Sequence, residues 1–225
     1  MTFSLTARCP DTGAFGIAIS SSSPAGAARC VHRRPGVGAA ASQNITDPRL
    51  GERLLDRLAA GDSATAAIAA VVAADRTADY RQLTVVDTAG RVAGHSGGHT
   101  LGIHHLAVGA GAIAAGNLLA ASEVIDVLLA AFEDEPAGPL AARLLRALAA
   151  ALAAGGEAGP VRSAGLAVTH PTAGWAETDL RVDWHDDPIG ELGRLWALWE
   201  PQRADYITRG LHPASAPAYG VPGDQ

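Results

Sequence analysis

The sequence predicts an α+β protein built as a four-layer αββα sandwich, and three observations point there. Strands and helices come in blocks: strands, two helices, strands, two helices, strands, one helix. The helix pairs are strongly apolar and need a sheet to lie on, and two such pairs need two sheet faces. The chain is 48% hydrophobic but only 4% aromatic, so its core consists of small side chains and closely approaching backbones.

The first strand is the run Thr2 to Ala7, with Phe3, Leu5 and Ala7 on one face and Thr2, Ser4 and Thr6 on the other. A turn at Asp11, Thr12 and Gly13 returns it into a second strand, Phe15 to Ser20. Ser20, Ser21, Ser22, Ser23 and Pro24 end that strand. Arg29, Cys30 and Val31 read as a short strand, and Val37 to Ser42 as a longer buried one. Pro48 opens a helix to about Ala60, with Leu50, Leu54, Leu55 and Leu58 on one stripe. Asp62 or Ser63 caps the next, which carries Ile68, Val71 and Val72. A second hairpin joins Gln82–Asp87 to Arg91–Gly94.

Residues 95–117 read as strands and turns, followed by a helix from the N-cap Ser122 to about Glu133. Pro139 opens another, with Leu140, Leu144, Leu148 and Leu152 at helical spacing, stopped by Gly155 and Gly156. Strands Ala164–Thr169 and Leu180–Trp184 precede a last helix, capped at Asp187 and bearing Trp196 and Trp199 for the core or a dimer interface. One domain over 1–209 is expected, with a Pro/Gly/Ala-rich tail at 210–225 that is poorly ordered or a subunit arm.

Composition narrows the function. All 17 basic residues are arginines. Lysine-dependent chemistry is therefore excluded: Schiff-base and pyridoxal-phosphate enzymes, Ser-Lys hydrolases and P-loop NTPases. A net charge of −6 with no basic block argues against nucleic acid and anionic membranes. No apolar run reaches the length of a bilayer span, and no basic segment precedes an apolar one as in a secretory leader. A cytoplasmic protein with Cys9 and Cys30 as free thiols is expected.

The start of the chain carries the chemistry. Removal of Met1 before a small residue would leave Thr2 as an N-terminal residue held by the first strand. Its α-amine, with a reference pKa of about 7.7–8.0, could take the proton of its own hydroxyl. An inert strand residue is the alternative.

A long ordered series of segments resembles a bacterial domain-of-unknown-function family grouped with the N-terminal-nucleophile (Ntn) hydrolases. It comprises Thr2-Phe3-Ser4, Asp11-Thr12-Gly13 through Gly16, Gly36 to Gln43, Asp47-Pro48-Arg49 with Gly51, and Arg81-Gln82 with Val86-Asp87. Gly90 to Ala93, Gly116-Asn117-Leu118, Glu123 to Asp126, Ala131 to Glu133, and Asp179 to Asp183 with Asp187-Pro188 and Glu191-Leu192 complete it, over roughly residues 2–198. The resemblance implies the αββα fold of the Ntn type and, less directly, activity. Two stretches depart from the family's pattern: Ser22-Ser23-Pro24, where members tend to have a Lys or His beside an aromatic residue, and the histidine-bearing stretch of His95, His99, His104 and His105. With no lysine to tune the threonine, Arg29 or Arg33 would have to substitute.

The candidate catalytic set is Thr2, Ser20, Ser21, Gln43 and Asn117. Ser20 or Ser21 would orient the amine or relay a proton, or is a polar strand end. The resemblance places an oxyanion N–H near Gln43, and losing such a donor costs about 3–4 kcal/mol; a plain helix-start turn is the alternative. Asn117 is a further donor or a left-handed turn residue. Candidate substrate-binding residues are Asn44, Arg81, His95, Arg181 and Asp183, where either arginine would grip a carboxylate or form an ion pair, for example with Asp183 or Asp87. No carboxylate or cysteine stands at zinc spacing around the histidines, so neither metal nor cofactor is expected. The expected partners are a small-molecule substrate and further copies of the chain, as a homodimer or higher homo-oligomer. The expected reaction is hydrolysis of an amide or cyclic amide. The competing readings are a non-catalytic metabolite-binding or scaffold protein and, more distantly, a histidine-bound metal enzyme.

Overall fold

The computed structural model describes residues 1–222. Ten strands form two antiparallel sheets. In chain order they are β1 Thr2–Arg8, β2 Phe15–Ser21, β3 Val31–Arg34, β4 Gly38–Asn44, β5 Arg81–Asp87, β6 Val92–Ser96, β7 His105–Gly109, β8 Ala112–Asn117, β9 Ser163–Thr169 and β10 Ala176–Val182. The larger sheet has the order β10-β9-β2-β1-β8-β7 and the smaller β3-β4-β5-β6. β1 is central, with Thr2 opposite Ser21 on one side and Asn117 on the other.

Each sheet is apolar on its outer face. Helices α2 (Pro48–Ala59) and α3 (Ala64–Ala74) cover the smaller sheet, packing Leu50, Leu54, Leu55, Leu58 and Ile68 on Leu83 and Val85. Helices α4 (Glu123–Glu133), α5 (Leu140–Ala153) and α6 (Pro188–Trp199) cover the larger one. There Phe3, Leu5 and Ala7 meet Ile125, Leu128, Leu144, Leu148 and Trp196. Full burial of one such side chain contributes about 1.5–3 kcal/mol. Gly16 lets α5 close down on β2, since a Cβ there would stand 2.5 Å from Leu144 Cδ1.

The layer between the sheets is divided. Phe15 and Ile17 pack on Ala39 and Val86 across the gap. Beside them, under β1, hydrogen bonds replace apolar contact: Thr6 to Thr84 at 3.0 Å, and Ser4 Oγ donating to Gln43 Oε1 at 2.7 Å. The alternation read from the first strand is thus the division between helix-facing and sheet-facing sides.

Several elements differ from expectation. Gly26–Cys30 is a short helix, α1, and the strand begins only at Val31. Ala25 turns the chain in a left-handed conformation (φ 51°), and Gly26 N–H donates to Ser163 Oγ. Ser122 holds the N-cap position of α4 but makes no side-chain cap bond; its hydroxyl donates to Glu123 Oε2 instead. The last strand is Ala176–Val182 rather than Leu180–Trp184, entering against β9 through an irregularity between Ala176 and Thr178. A further helix, α7 (Arg203–Leu211), follows α6, because Pro201 sits in the first turn of a 3-10 segment where its missing N–H costs nothing. Arg209 on α7 donates to the carbonyls of Pro217 and Ala218 and lies 4.0 Å over the Tyr219 ring. The rest of the predicted tail, 223–225, lies outside the described residues. Among the described residues no helix is long and apolar enough to cross a membrane.

Candidate functional site

Thr2 sits at the N-terminal end of β1, and its buried side chain is turned towards the smaller sheet. Its Oγ1 donates to the Met1 carbonyl at 2.5 Å and lies 3.2 Å from Ser21 Oγ. Ser21 Oγ donates to the same carbonyl at 2.5 Å and accepts the Ser23 N–H at 3.1 Å. Two hydroxyls therefore converge on the carbonyl of the residue preceding Thr2.

This cluster forms one wall of a cavity of about 320 Å³. Arg29 and Cys30 of α1 line another side, and Asn44, Ile45 and Thr46, on the turn from β4 into α2, close it. Burial pushes the Cys30 thiol up, outweighing the Thr46 hydroxyl, Arg29 and the amino terminus, so it stays neutral. The Arg29 guanidinium donates to the Pro24 and Ala25 carbonyls, at 2.7 and 3.2 Å. Arg33 instead turns away to Asp179 at 2.5 Å. A larger hollow of about 420 Å³ between α5 and α6 is lined mainly by apolar groups such as Leu145, Leu152, Ile189 and Trp196. It offers shape without a nucleophile or acid–base pair.

The other predicted residues divide sharply. Ser20 pairs with Phe3 and so faces the helices; its hydroxyl donates to the Ser163 carbonyl, away from Thr2. Gln43 and Asn117 are fully buried and do not line the cavity. Gln82 Oε1 accepts from Gln43 Nε2 (2.8 Å) and Asn117 Nδ2 (3.0 Å), while Gln82 Nε2 donates to Ser96 Oγ and the Gly116 carbonyl. Asn117, a strand residue rather than a turn residue, leaves Oδ1 buried and without a partner. Asn44 lines the cavity with a left-handed backbone (φ 72°), and its amide donates to the Tyr80 carbonyl and accepts Leu101 N–H.

Arg81 is committed to structure: it donates to Asp75, to the Ile45 carbonyl at 2.6 Å and to Thr77, which fixes the cavity's edge. Its acidic partner is Asp75, and Asp87 pairs instead with Arg91. Arg181 lies near Asp179, at 3.6 Å, in a separate small hollow. The Asp183 carbonyl accepts the Ala25 N–H, while its side chain belongs to an exposed residue. His95 bonds the Ala78 carbonyl at 3.0 Å. The structure thus brings Thr2, Ser21 and Asn44 to the cavity, joins Gln43 and Asn117 in the buried Gln82 network, and leaves Ser20, Arg81, His95, Arg181 and Asp183 outside.

One buried acid escaped the sequence reading. Glu157 is 4% exposed, and both carboxylate oxygens lie 3.2 Å from the Ser22 N–H. Burial pushes its carboxyl up to about 7, against the pull of the amino terminus and the Ser22 bond. Standing just after Gly155 and Gly156, it gives no local signal; only the fold carries it to the start of β1.

Two antiparallel sheets clad in helices, with a hydroxyl cluster at the head of the central strand, define the class of protein. Residues 2–192 match a family of unknown function (DUF1028), and the chain belongs to that family. A crystal structure of a Silicibacter pomeroyi protein of the same family is 31% identical, with a TM-score of 0.84 over 92% of this chain and 90% of that one. Anbu (ancestral beta-subunit) from Yersinia bercovieri aligns over 97% of this chain and 100% of its own, at 12% identity and a TM-score of only 0.37. No curated protein matches.

Proposed function

We propose that this chain is an Ntn-type amidohydrolase that cleaves an amide or cyclic amide in a small molecule, with Thr2 as nucleophile after loss of Met1. The observation that carries the reading is the convergence of the Thr2 and Ser21 hydroxyls on the Met1 carbonyl at the wall of a cavity. Loss of Met1 frees both hydroxyls and creates an amine on the residue that bears the nucleophile. The amine takes the hydroxyl proton as Oγ attacks the substrate carbonyl; that proton passes to the leaving nitrogen as the C–N bond breaks. Water then hydrolyses the Thr2 ester, with the same amine as base, and restores the hydroxyl. Ser21, 3.2 Å from Thr2 Oγ, orients the hydroxyl. Asn117, opposite Thr2 in the sheet, braces the strand on its other side.

The test is intact mass of untagged protein before and after exposure to a β-lactone. Loss of one methionine mass and an adduct mapped to Thr2 are expected. A retained Met1, or a free Thr2 that takes no adduct, overturns the assignment and leaves a binding or scaffold protein.

A further inference from the structure

Glu157 belongs to the segment that crosses the head of β1. The register places Ser22 and Leu118 one residue beyond Ser21 and Asn117, the two partners of Thr2. Glu157 reaches both sides of this frame. Its carboxylate accepts the Ser22 N–H, its backbone bridges Leu119, and the next residue, Ala158, donates its N–H to the Leu118 carbonyl at 2.9 Å. The Met1 thioether end lies against Gly159 of the same segment. The segment therefore spans from the β2 edge to the β8 edge over the place where the first residue of β1 begins.

We propose that Glu157 is the positioning residue for the α-amine of Thr2, holding it by its carboxylate so that the nitrogen lone pair faces the Thr2 hydroxyl. This rests on the Thr2 reading above. The chain's present amino group already acts on the Glu157 carboxyl. Loss of Met1 moves that group to the Thr2 nitrogen and empties the Met1 volume beneath the segment. The titratable and charged groups around that end of β1 are then Glu157, bonded to the Ser22 N–H beside the strand's first pair, and, lining the cavity, the neutral Cys30 thiol and the Arg29 guanidinium. Of these three, Glu157 is the one that can neutralise an ammonium. Its burial matters because an isolated buried carboxylate is costly, and the pair holds one proton between them at little charge.

The sign of the effect follows. An ionised Glu157 favours the ammonium form and so raises the pH at which the amine becomes free to act as base. The experiment is the pH dependence of β-lactone acylation, followed by intact mass on untagged wild type, Glu157→Gln and Glu157→Asp. Glu157→Gln should lower the plateau rate and move the midpoint of the profile down by about one pH unit or more, a tenfold change in proton affinity. Glu157→Asp, with its carboxylate one methylene shorter, should fall between, and it carries the test should the Gln variant fail to fold. A purely structural Glu157 would slow acylation equally at every pH; an unmoved midpoint in the folded variants overturns the assignment. Wild type that loses Met1 but never acylates removes the Thr2 nucleophile itself, a distinct failure that takes this proposal with it.

Discussion

Gln82 is the joint of the buried polar network, and removing its amide should be far costlier than its size suggests. In Gln82→Leu two donors, Gln43 Nε2 and Asn117 Nδ2, lose the oxygen that accepts from both at 2.8 and 3.0 Å. Gln43 and Asn117 are fully buried, so water cannot replace the lost acceptor. Each stranded donor costs about 1–3 kcal/mol, giving a loss of about 2–6 kcal/mol. Of the two acceptors that lose Gln82 Nε2, Ser96 is half-buried and can turn to solvent, while the Gly116 carbonyl is buried and its lost bond adds to the cost. A domain stable by about 5–15 kcal/mol would keep only part of its margin. Equilibrium urea unfolding, followed by the fluorescence of the buried Trp196, measures the difference. Ser96→Ala serves as the control and should cost under about 1 kcal/mol. A Gln82→Leu loss below about 1 kcal/mol at unchanged denaturant slope would refute the idea that the layer between the sheets depends on this amide.

Three further outcomes are expected. Gly51→Ala should destabilise despite its better helix propensity, because a Cβ would stand 2.0 Å from Cδ2 of the buried His32 ring, which is held by Glu52 and the Arg29 carbonyl. Overpacking of about 1–3 kcal/mol outweighs a propensity gain of up to about 1 kcal/mol, and a raised Tm would contradict this. Asp87→Asn should flatten the acid limb of stability. Burial raises the Asp87 carboxyl, but Arg91 and the N–H groups of Ala64, Arg91 and Ala89 outweigh it and hold the group below its ordinary value. That stabilisation is complete above the unfolded value of about 3.9 and fades as pH falls through the lower folded one. Equal slopes below pH ~4 in mutant and wild type would show that the carboxylate contributes nothing. Ser21→Ala should cut β-lactone acylation of Thr2 by about tenfold or more through loss of orientation, while leaving Met1 removal intact; an unchanged rate would confine Ser21 to a structural role.

What the sequence displayed was whatever local periodicity controls. The alternation of Phe3, Leu5 and Ala7 with Thr2, Ser4 and Thr6 identified both faces of the central strand before any partner was known. Asp187, and Ser63 of the two cap candidates Asp62 and Ser63, cap helices as their positions indicate, each side chain accepting a backbone N–H of the first turn. Register was not legible. Ser20 and Ser21 are equal candidates in the sequence, and only the pairing of Ser21 with Thr2 sends one towards the cavity and the other towards the helices. The acid that pairs with Arg81 was not legible either, because two of its anchors, Asp75 and Thr77, belong to the loop after α3 and the third, the Ile45 carbonyl, to the turn between β4 and α2. Glu157 was invisible for a similar reason: its segment reaches from the residue after β2 to those after β8, and nothing in its own stretch of sequence marks it.

The division of the inner layer links fold to chemistry. Most sandwiches close with apolar side chains from both inner faces. Here the outer faces carry most of the apolar burial, and under β1 the sheets are joined by hydroxyl and amide pairs from Thr6 and Thr84 up to Ser4, Gln43, Gln82 and Asn117. Such pairs are directional, so a one-residue slip of β1 would strand several buried polar groups, each at about 1–3 kcal/mol. They therefore fix where β1 begins more tightly than apolar packing could. A nucleophile whose base is its own amine needs that fixity, since both groups move with the first residue of the strand. The network thins out where the strand starts: Asn117 Oδ1 has no partner among the described residues, and the Thr2 and Ser21 hydroxyls both donate to the Met1 carbonyl. With that residue gone, the layer ends in two hydroxyls freed of their common acceptor at the wall of a cavity, which is the arrangement the proposed acyl transfer requires.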